Sequence, residues 1–233
     1  MKKKTEICAL LPLKAHSARV QGKNFKSFAN KPLFRWILDT LLSIDDISKI
    51  VINTDARDLL KKNGFEESGK VVIRDRPKEL CGDMVSMNRV IKNDVENVPS
   101  ECYLMTHTTN PLLTATTIKK ALATYFDGIE SNSGDSLFSV NKYQTRFYKK
   151  DGSPINHDPE NLIRTQDLEP YYEENSNLYI FNDESFNATG ARIGNRPILF
   201  ETPTLESFDI DDQEGWNLAE IIALYRQMAN VGI

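Results

Sequence analysis

Lys14, His16, Ser17, Arg19, Lys23 and Asn24 follow directly on the apolar run 7–13 and precede a helix-like segment that begins at Lys31. An apolar run of that length reads as one buried strand. Strand, cationic loop and helix make a common phosphate-holding arrangement, in which loop amides and ammonium groups converge on the anion. The stretch has no GxxxxGK[ST] spacing and is not a P-loop. The same pattern also describes an ordinary β–α connection with solvated lysines. A second group stands near the other end of the chain, in Ser207-Phe208-Asp209-Ile210-Asp211-Asp212. Read as a strand over 207–210, this stretch points Asp209 and Asp211 to one side. Paired carboxylates beside a phosphate pocket suit Mg²⁺, which keeps several waters and shares its shell with a nucleotide. The competing reading makes Asp211 and Glu214 the capping-box pair of the last helix.

The elements that position these groups follow from hydrophobic period. Residues 31–42 read as an amphipathic helix with Pro32 in its first turn, 55–62 as a helix ended by Asn63-Gly64, and 84–98 and 114–126 as two more. Residues 48–54, 71–74 and 102–106 read as strands. This β–α alternation implies an α/β fold with a largely parallel sheet and helices on both faces. After residue 130 the rhythm changes. Strands are expected over 135–142, 145–150, 177–182, 197–201 and 207–210, with a long irregular stretch over 153–172 and a last helix from 213 to about 230. Loops of that length are usually functional or pack against something. With no internal repeat, low-complexity segment or linker, the reading is a single domain over 1–233 with a protruding lobe at about 138–172.

Composition narrows the function. A chain of 233 residues is ample for a sizeable core. The net charge of −4, from 29 basic and 33 acidic residues, and the lack of any basic run beyond Lys2-Lys3-Lys4 argue against nucleic acid as a partner. The three cysteines, Cys8, Cys81 and Cys102, have no CxxC spacing and fit a reducing cytoplasm. The N-terminal lysines and the run 7–13 imitate a signal peptide, but the apolar part is short, runs into Lys14 and lacks a small-residue cleavage site. No apolar run approaches membrane-spanning length.

The cationic loop resembles the N-terminal signature of the acylneuraminate cytidylyltransferase family, the CMP-sialic acid synthetases and their relatives, roughly A-R-x-x-S-K-x-x-x-x-K-N after a first strand. Leu13 and Lys14 stand at the A-R positions, Ser17 at the serine, and Lys23 and Asn24 at the closing K-N; Ala18 stands at the lysine, with Arg19 next to it. Further segments match in order. Asn53-Thr54-Asp55 resembles S-T-D, and Arg76-Pro77-x-Glu79-Leu80, followed by Asp83, resembles R-P-x-E-L. Thr109-Asn110-Pro111-Leu112 resembles part of Q-P-T-S-P-L-R, with His107 at the glutamine, Asn110 at the serine and Leu113 at the arginine. Arg164-Thr165-Gln166-Asp167-Leu168 resembles R-x-Q-x-L, and 174–180 the x-x-N-G-A-x-Y-x strand. The family also carries S-[IF]-D-[IV]-D where this chain has Asp209 and Asp211.

The resemblance implies a Rossmann-like nucleotidyltransferase sheet with a small dimerisation lobe, and a homodimer in which that lobe reaches the neighbouring active site. It implies transfer from CTP to an anionic 2-keto-3-deoxy sugar acid, with pyrophosphate released. Lys14, Lys23 and Arg19, with Ser17, would hold the triphosphate; Asn24 and Arg76 would contact the nucleoside. His107, Thr109, Arg164 and Gln166 would face the sugar acid, and Asp209 and Asp211 would hold Mg²⁺. Lys14, Lys23 and Asp211 are the candidate catalytic residues. Lys14 in place of arginine keeps a charge without the bidentate fork. Glu174 falls near an arginine of the sialic-acid-specific members, so the departures bear on the sugar more than on the nucleotide. The alternatives are a cytidylyltransferase for another sugar or alcohol phosphate, and a homologue that binds nucleotide without turnover.

Overall fold

The computed structural model describes residues 5–17 and 19–231; Lys2-Lys3-Lys4 and Ala18 lie outside the described residues. In chain order the elements are β1 (Ile7–Leu10), β2 (Ser27–Phe28), β3 (Lys31–Pro32), α1 (Leu33–Leu42), β4 (Ile47–Thr54), α2 (Arg57–Lys62) and β5 (Val71–Asp75). They continue with α3 (Met87–Asn97), β6 (Cys102–Thr106), α4 (Ala115–Glu130), β7 (Ser136–Tyr143), β8 (Tyr171–Phe181), α5 (Asp183–Thr189), β9 (Pro197–Glu201) and α6 (Gln213–Val231). The main sheet has seven strands in the order β5-β4-β1-β6-β8-β7-β9. All its neighbours pair in parallel except at β8, which runs against both β6 and β7. The expected mostly parallel α/β sheet is therefore the observed one.

Strand alternation divides the apolar side chains between two faces. Ile7, Ala9 and Leu11 join Ile50, Ile52 and Leu104 in a core covered by α1, α2 and α4, through residues such as Ile37, Leu41, Leu60, Ile118 and Tyr125. Cys8 and Leu10 face the other way and join Val51, Tyr103, Met105 and Phe181 under Ile91 and Val95 of α3 and Phe186 of α5. A third core holds Val20, Phe28, Leu33, Leu112, Ile210 and Trp216. It matters most for function, because Val20 belongs to the cationic loop and Ile210 lies between the two aspartates. Burial in one cluster brings the two sequence-distant segments together.

Four expected elements differ. Residues 207–212 form no strand. Ile210 is held by one backbone bond, its N–H to the Thr109 carbonyl at 2.9 Å, and by burial against α6. Residues 145–150 are also not a strand, apart from an isolated bridge between Tyr148 and Pro154. Backbone bonds join Ile155 to Phe147 and Lys149 to Ser153, and the Asn156 side chain extends this short turn, accepting from the Phe147 N–H at 2.9 Å and donating to the Thr145 carbonyl at 2.8 Å. Pro32 belongs to the short hairpin β2–β3 and precedes α1 instead of opening its first turn. β8 begins at Tyr171, earlier than expected, and its register with β7 shifts between Phe138 and Val140. Ser176, on the β8 side of that shift, has φ +57°. It stands where the resembling pattern has glycine, the residue that adopts this conformation without a Cβ clash.

Candidate active site

The carboxyl ends of four parallel strands converge. The cationic loop follows β1, Asp55 follows β4, Arg76 follows β5 and His107–Thr109 follow β6. The chain winds from β1 outward through β4 to β5 and then returns to place β6 on the other side of β1. Open α/β sheets bind ligands outside their strand ends at such a switch point. A cleft of about 440 Å³ lies there, lined among others by Lys14, Ser17, Arg19, Lys23, Asn24 and Arg76 on one side and by Asp83, Met87, His107 and Thr109 on the other.

The loop is held by groups that have no further freedom. Gly22, at φ +61°, turns the chain into the short 3-10 turn Lys23–Phe25. Asn24 donates through Nδ2 to the Lys14 carbonyl at 2.8 Å and accepts from the Thr108 hydroxyl at 2.6 Å. Its amide therefore closes the loop and ties it to the end of β6. Asp55 accepts the Ala15 N–H at 2.7 Å. Arg76 donates to the Asn53 side chain and carbonyl, each at 2.8 Å, and burial lowers its pKa. Asn53 in turn donates to Asp94 at 2.7 Å, which also pairs with Arg74. Asp94 comes from α3 and did not stand out in the sequence; it anchors the wall that carries Arg76.

The cations differ in setting. Lys14 pairs with Asp83 at 2.5 Å and Arg19 with Asp211 at 2.9 Å, all four side chains being substantially exposed. Lys23 is only 8% exposed, donates to the Ile210 carbonyl at 2.5 Å, and is lowered in pKa first by burial, against the raising effects of Asp209 and Asp211. Burial likewise pushes the His107 pKa down to about 3, with Arg192 and Lys23 adding to it, so the imidazole is neutral at physiological pH.

Asp209 and Asp211 flank Ile210 beside this cleft. The Asp209 pKa is raised, first by burial and then by Asp211, and lowered by a hydrogen bond with the Thr109 side chain. Its Oδ1 is buried without a hydrogen-bond partner. Asp212, not Asp211, caps the last helix, accepting the Gly215 N–H at 2.8 Å. The capping reading of Asp211 is thus corrected: Asp211 pairs with Arg19 of the cleft, and both carboxylates act on the charge of Lys23. Among the described residues no cluster of three or more His, Cys, Asp or Glu forms a metal cage. Two carboxylates, one with an unpartnered buried oxygen, fit an ion that takes most of its shell from phosphate and water, as Mg²⁺ does.

Arg164 and Gln166 do not line this cleft. Arg164 pairs with Asp167 at 2.7 Å on the lobe between β7 and β8, where its side chain is 72% exposed. Glu174 pairs with Arg192 at 3.3 Å. Sequence reasoning missed Arg192, whose contacts come from β6 and β8 and have no local signature.

Residues 8–231 match the family model described as cytidylyltransferase. The chain is 27% identical to the CMP-N,N'-diacetyllegionaminic acid synthase of Legionella pneumophila, over 97% of this chain and 99% of that protein. It is also 27% identical to the N-acylneuraminate cytidylyltransferase of Oncorhynchus mykiss, over 93% of this chain, which spans 50% of that longer relative. Among solved structures, a CMP:2-keto-3-deoxy-manno-octonic acid synthetase complexed with CTP superposes with a TM-score of 0.62 at 13% identity, covering 96% of this chain and 100% of that one. That likeness bears on the fold; the family model, matched over nearly the whole chain, places this protein in the cytidylyltransferase family.

Proposed function

We propose that the protein transfers the cytidylyl group of CTP to the anomeric hydroxyl of a 2-keto-3-deoxy sugar acid. The hydroxyl oxygen bonds to the α-phosphorus, the bond from that phosphorus to the bridging oxygen breaks, pyrophosphate leaves and the hydroxyl proton is released. The observation that carries this reading is the cation-lined cleft at the switch point, whose Arg19 pairs with Asp211 and whose Lys23 holds the Ile210 carbonyl between the two aspartates. The relatives' activities point the same way. Lys14, Arg19 and Lys23 neutralise the triphosphate, and Ser17 offers a hydroxyl. Arg76 and Asn24 shape the nucleoside wall, while His107 and Thr109 border the acceptor side. Bound at Asp209 and Asp211, Mg²⁺ supplies charge stabilisation at the phosphate. Catalysis by the chain itself is positioning and electrostatics. The test is pyrophosphate release from CTP across a panel of sugar acids and alcohol phosphates. Turnover with the acids is expected; turnover only with alcohol phosphates, or CTP binding with no turnover, overturns the reading.

We further assign the lobe a role in assembly. Ile155, Leu162, Ile163, Tyr171 and Tyr172 are exposed on or beside it, whereas Leu168 is buried. Exposed apolar groups clustered this way mark interfaces, and a closed two-fold contact is self-complementary. Arg164 and Gln166 then meet substrate only across the dimer. Light scattering is expected to report a homodimer, and deletion of 145–168 to give an inactive monomer; a fully active monomer at assay concentration refutes the assignment. No helix among the described residues is long and apolar enough to cross a membrane. Burial raises the Cys8 and Cys102 thiols to about 12 and leaves them unreactive.

A further inference from the structure

A second cleft of about 340 Å³ adjoins the nucleotide cleft at Met87, which lines both. Arg192, from the connection between α5 and β9, and Glu174 of β8 form part of its wall. The Arg192 side chain is 18% exposed. Its guanidinium carbon lies 3.8 Å from the centroid of the Tyr179 ring, and Nη2 donates to Glu174 Oε1 at 3.3 Å. The Tyr179 hydroxyl donates to the same Glu174 oxygen. Among the described residues the acceptor of Nη1 is the Met105 sulfur, at 3.9 Å, a weak one. The guanidinium is fixed in place by stacking and one ion pair, yet its fork retains donors for a planar anion. Its charge also reaches the nucleotide cleft, where it helps to hold His107 neutral.

The chemistry of the acceptor says where such a cation belongs. In a 2-keto-3-deoxy acid the carboxylate is bonded to the same carbon that bears the attacking hydroxyl. The group that holds the carboxylate must therefore lie beside the point of attack. Arg164 of the same chain lies on the exposed lobe, paired with Asp167. Arg192 lines the cleft that opens onto the acceptor side at Met87, and its charge reaches His107 there.

Resting on the cytidylyl transfer proposed above, we propose that Arg192 is the residue that binds the sugar acid's carboxylate, with Glu174 accepting a hydroxyl or amide N–H of the same sugar. This resolves the oddity of an acid in a site for an acid. Glu174 orients the guanidinium through one oxygen and turns its other lone pairs to the sugar's neutral donors.

The test uses the full-length protein with CTP, Mg²⁺ and three acids: N,N'-diacetyllegionaminic acid, N-acetylneuraminic acid and 2-keto-3-deoxy-manno-octonic acid. The acid that is turned over is then compared with its methyl ester, which keeps the shape and loses the charge. Arg192→Ala is expected to raise the acid KM about 10²-fold, the size of a lost charge-assisted hydrogen-bond pair. CTP KM should stay within about twofold, and the preference for acid over ester should disappear. Arg192→Lys should recover part of the loss. An Arg192→Ala enzyme with the wild-type acid KM and acid-to-ester ratio overturns the assignment. So does a parallel loss of CTP binding that lysine does not rescue, which would make Arg192 a packing residue. Wild-type protein that binds CTP and turns over none of the acids overturns the cytidylyl-transfer reading itself, so the two failures are distinct.

Discussion

Asp211→Ala is expected to slow pyrophosphate release on the order of 10³-fold while leaving the melting temperature nearly unchanged, and Asp212→Ala to do the reverse. The contrast between these adjacent carboxylates follows from where each points. Asp212 accepts the Gly215 N–H at the start of α6, and loss of such a cap costs about 1 kcal/mol, a few degrees in Tm for a domain of this size. Asp211 makes an ion pair with Arg19 in which both side chains are more than half exposed, and such pairs contribute little to folding. As a metal ligand, however, its loss removes about 4 kcal/mol of transition-state stabilisation. Asp209→Asn sharpens the argument. Its Oδ1 is buried without a partner and burial raises its pKa, so the metal-free protein carries the cost of a desolvated carboxylate. The amide removes that charge. Activity should be lost while the metal-free Tm holds or rises, the signature of a residue kept for function at some expense of stability. Thorough EDTA treatment should abolish wild-type turnover and added Mg²⁺ restore it. Activity that survives chelation sinks the metal assignment, and an Asp211→Ala enzyme that melts early at full rate makes Asp211 structural after all.

The sheet was legible where local pattern and tertiary role agree. β4 and β6 are β-branched or apolar runs buried on both faces, and α1 buries Leu33, Phe34, Ile37, Leu38 and Leu41 at helical spacing. The reading failed where burial arises without a ladder. Phe208 and Ile210 alternate with polar residues as a strand would, yet Ile210 is buried by Trp216 and α6. The two carboxylates stand next to Lys23 and Arg19, but the strand expected to carry them is absent. Residues 145–150 look like a strand, but they pair only with 153–155 of their own tight turn, and the Asn156 side chain then takes over the Phe147 N–H and the Thr145 carbonyl. Within the site, residues in the loop after β1 could be picked out because they lie together in sequence. Lys14, Ser17, Arg19, Lys23 and Asn24 do line one cleft. The Asn24 amide turned out to close the loop instead of standing free, a fact that depends on Thr108 of a distant segment. Arg192 was invisible for the same reason: its meaning comes from Glu174, Tyr179 and Met105, none of them its sequence neighbour.

Lys23→Ala is expected to weaken CTP binding on the order of 10²-fold, whereas Arg19→Ala should weaken it less than about fivefold. Both residues are cations of the same loop, so a simple count of charges would treat them alike. Their surroundings differ. Arg19 is 66% exposed and its partner Asp211 is 55% exposed, so water and salt screen whatever charge it presents to a phosphate. Lys23 is 8% exposed, and burial already lowers its pKa. A desolvated ammonium gains more from an arriving phosphate, because the cost of stripping its water is met in folding. Lys23 also joins the two halves of the site. Its Nζ donates to the Ile210 carbonyl, between the two aspartates, so alanine there removes a phosphate donor and loosens the carboxylate segment together. The rate should therefore fall with the affinity, and saturating CTP should not restore it. For Arg19→Ala, saturating CTP should restore the rate. Calorimetric titration of CTP into each variant, paired with turnover at saturating CTP, separates the cases. Wild-type affinity in Lys23→Ala would reduce Lys23 to a strut between the loop and Ile210, and would leave Lys14 as the cation to which the triphosphate must bind.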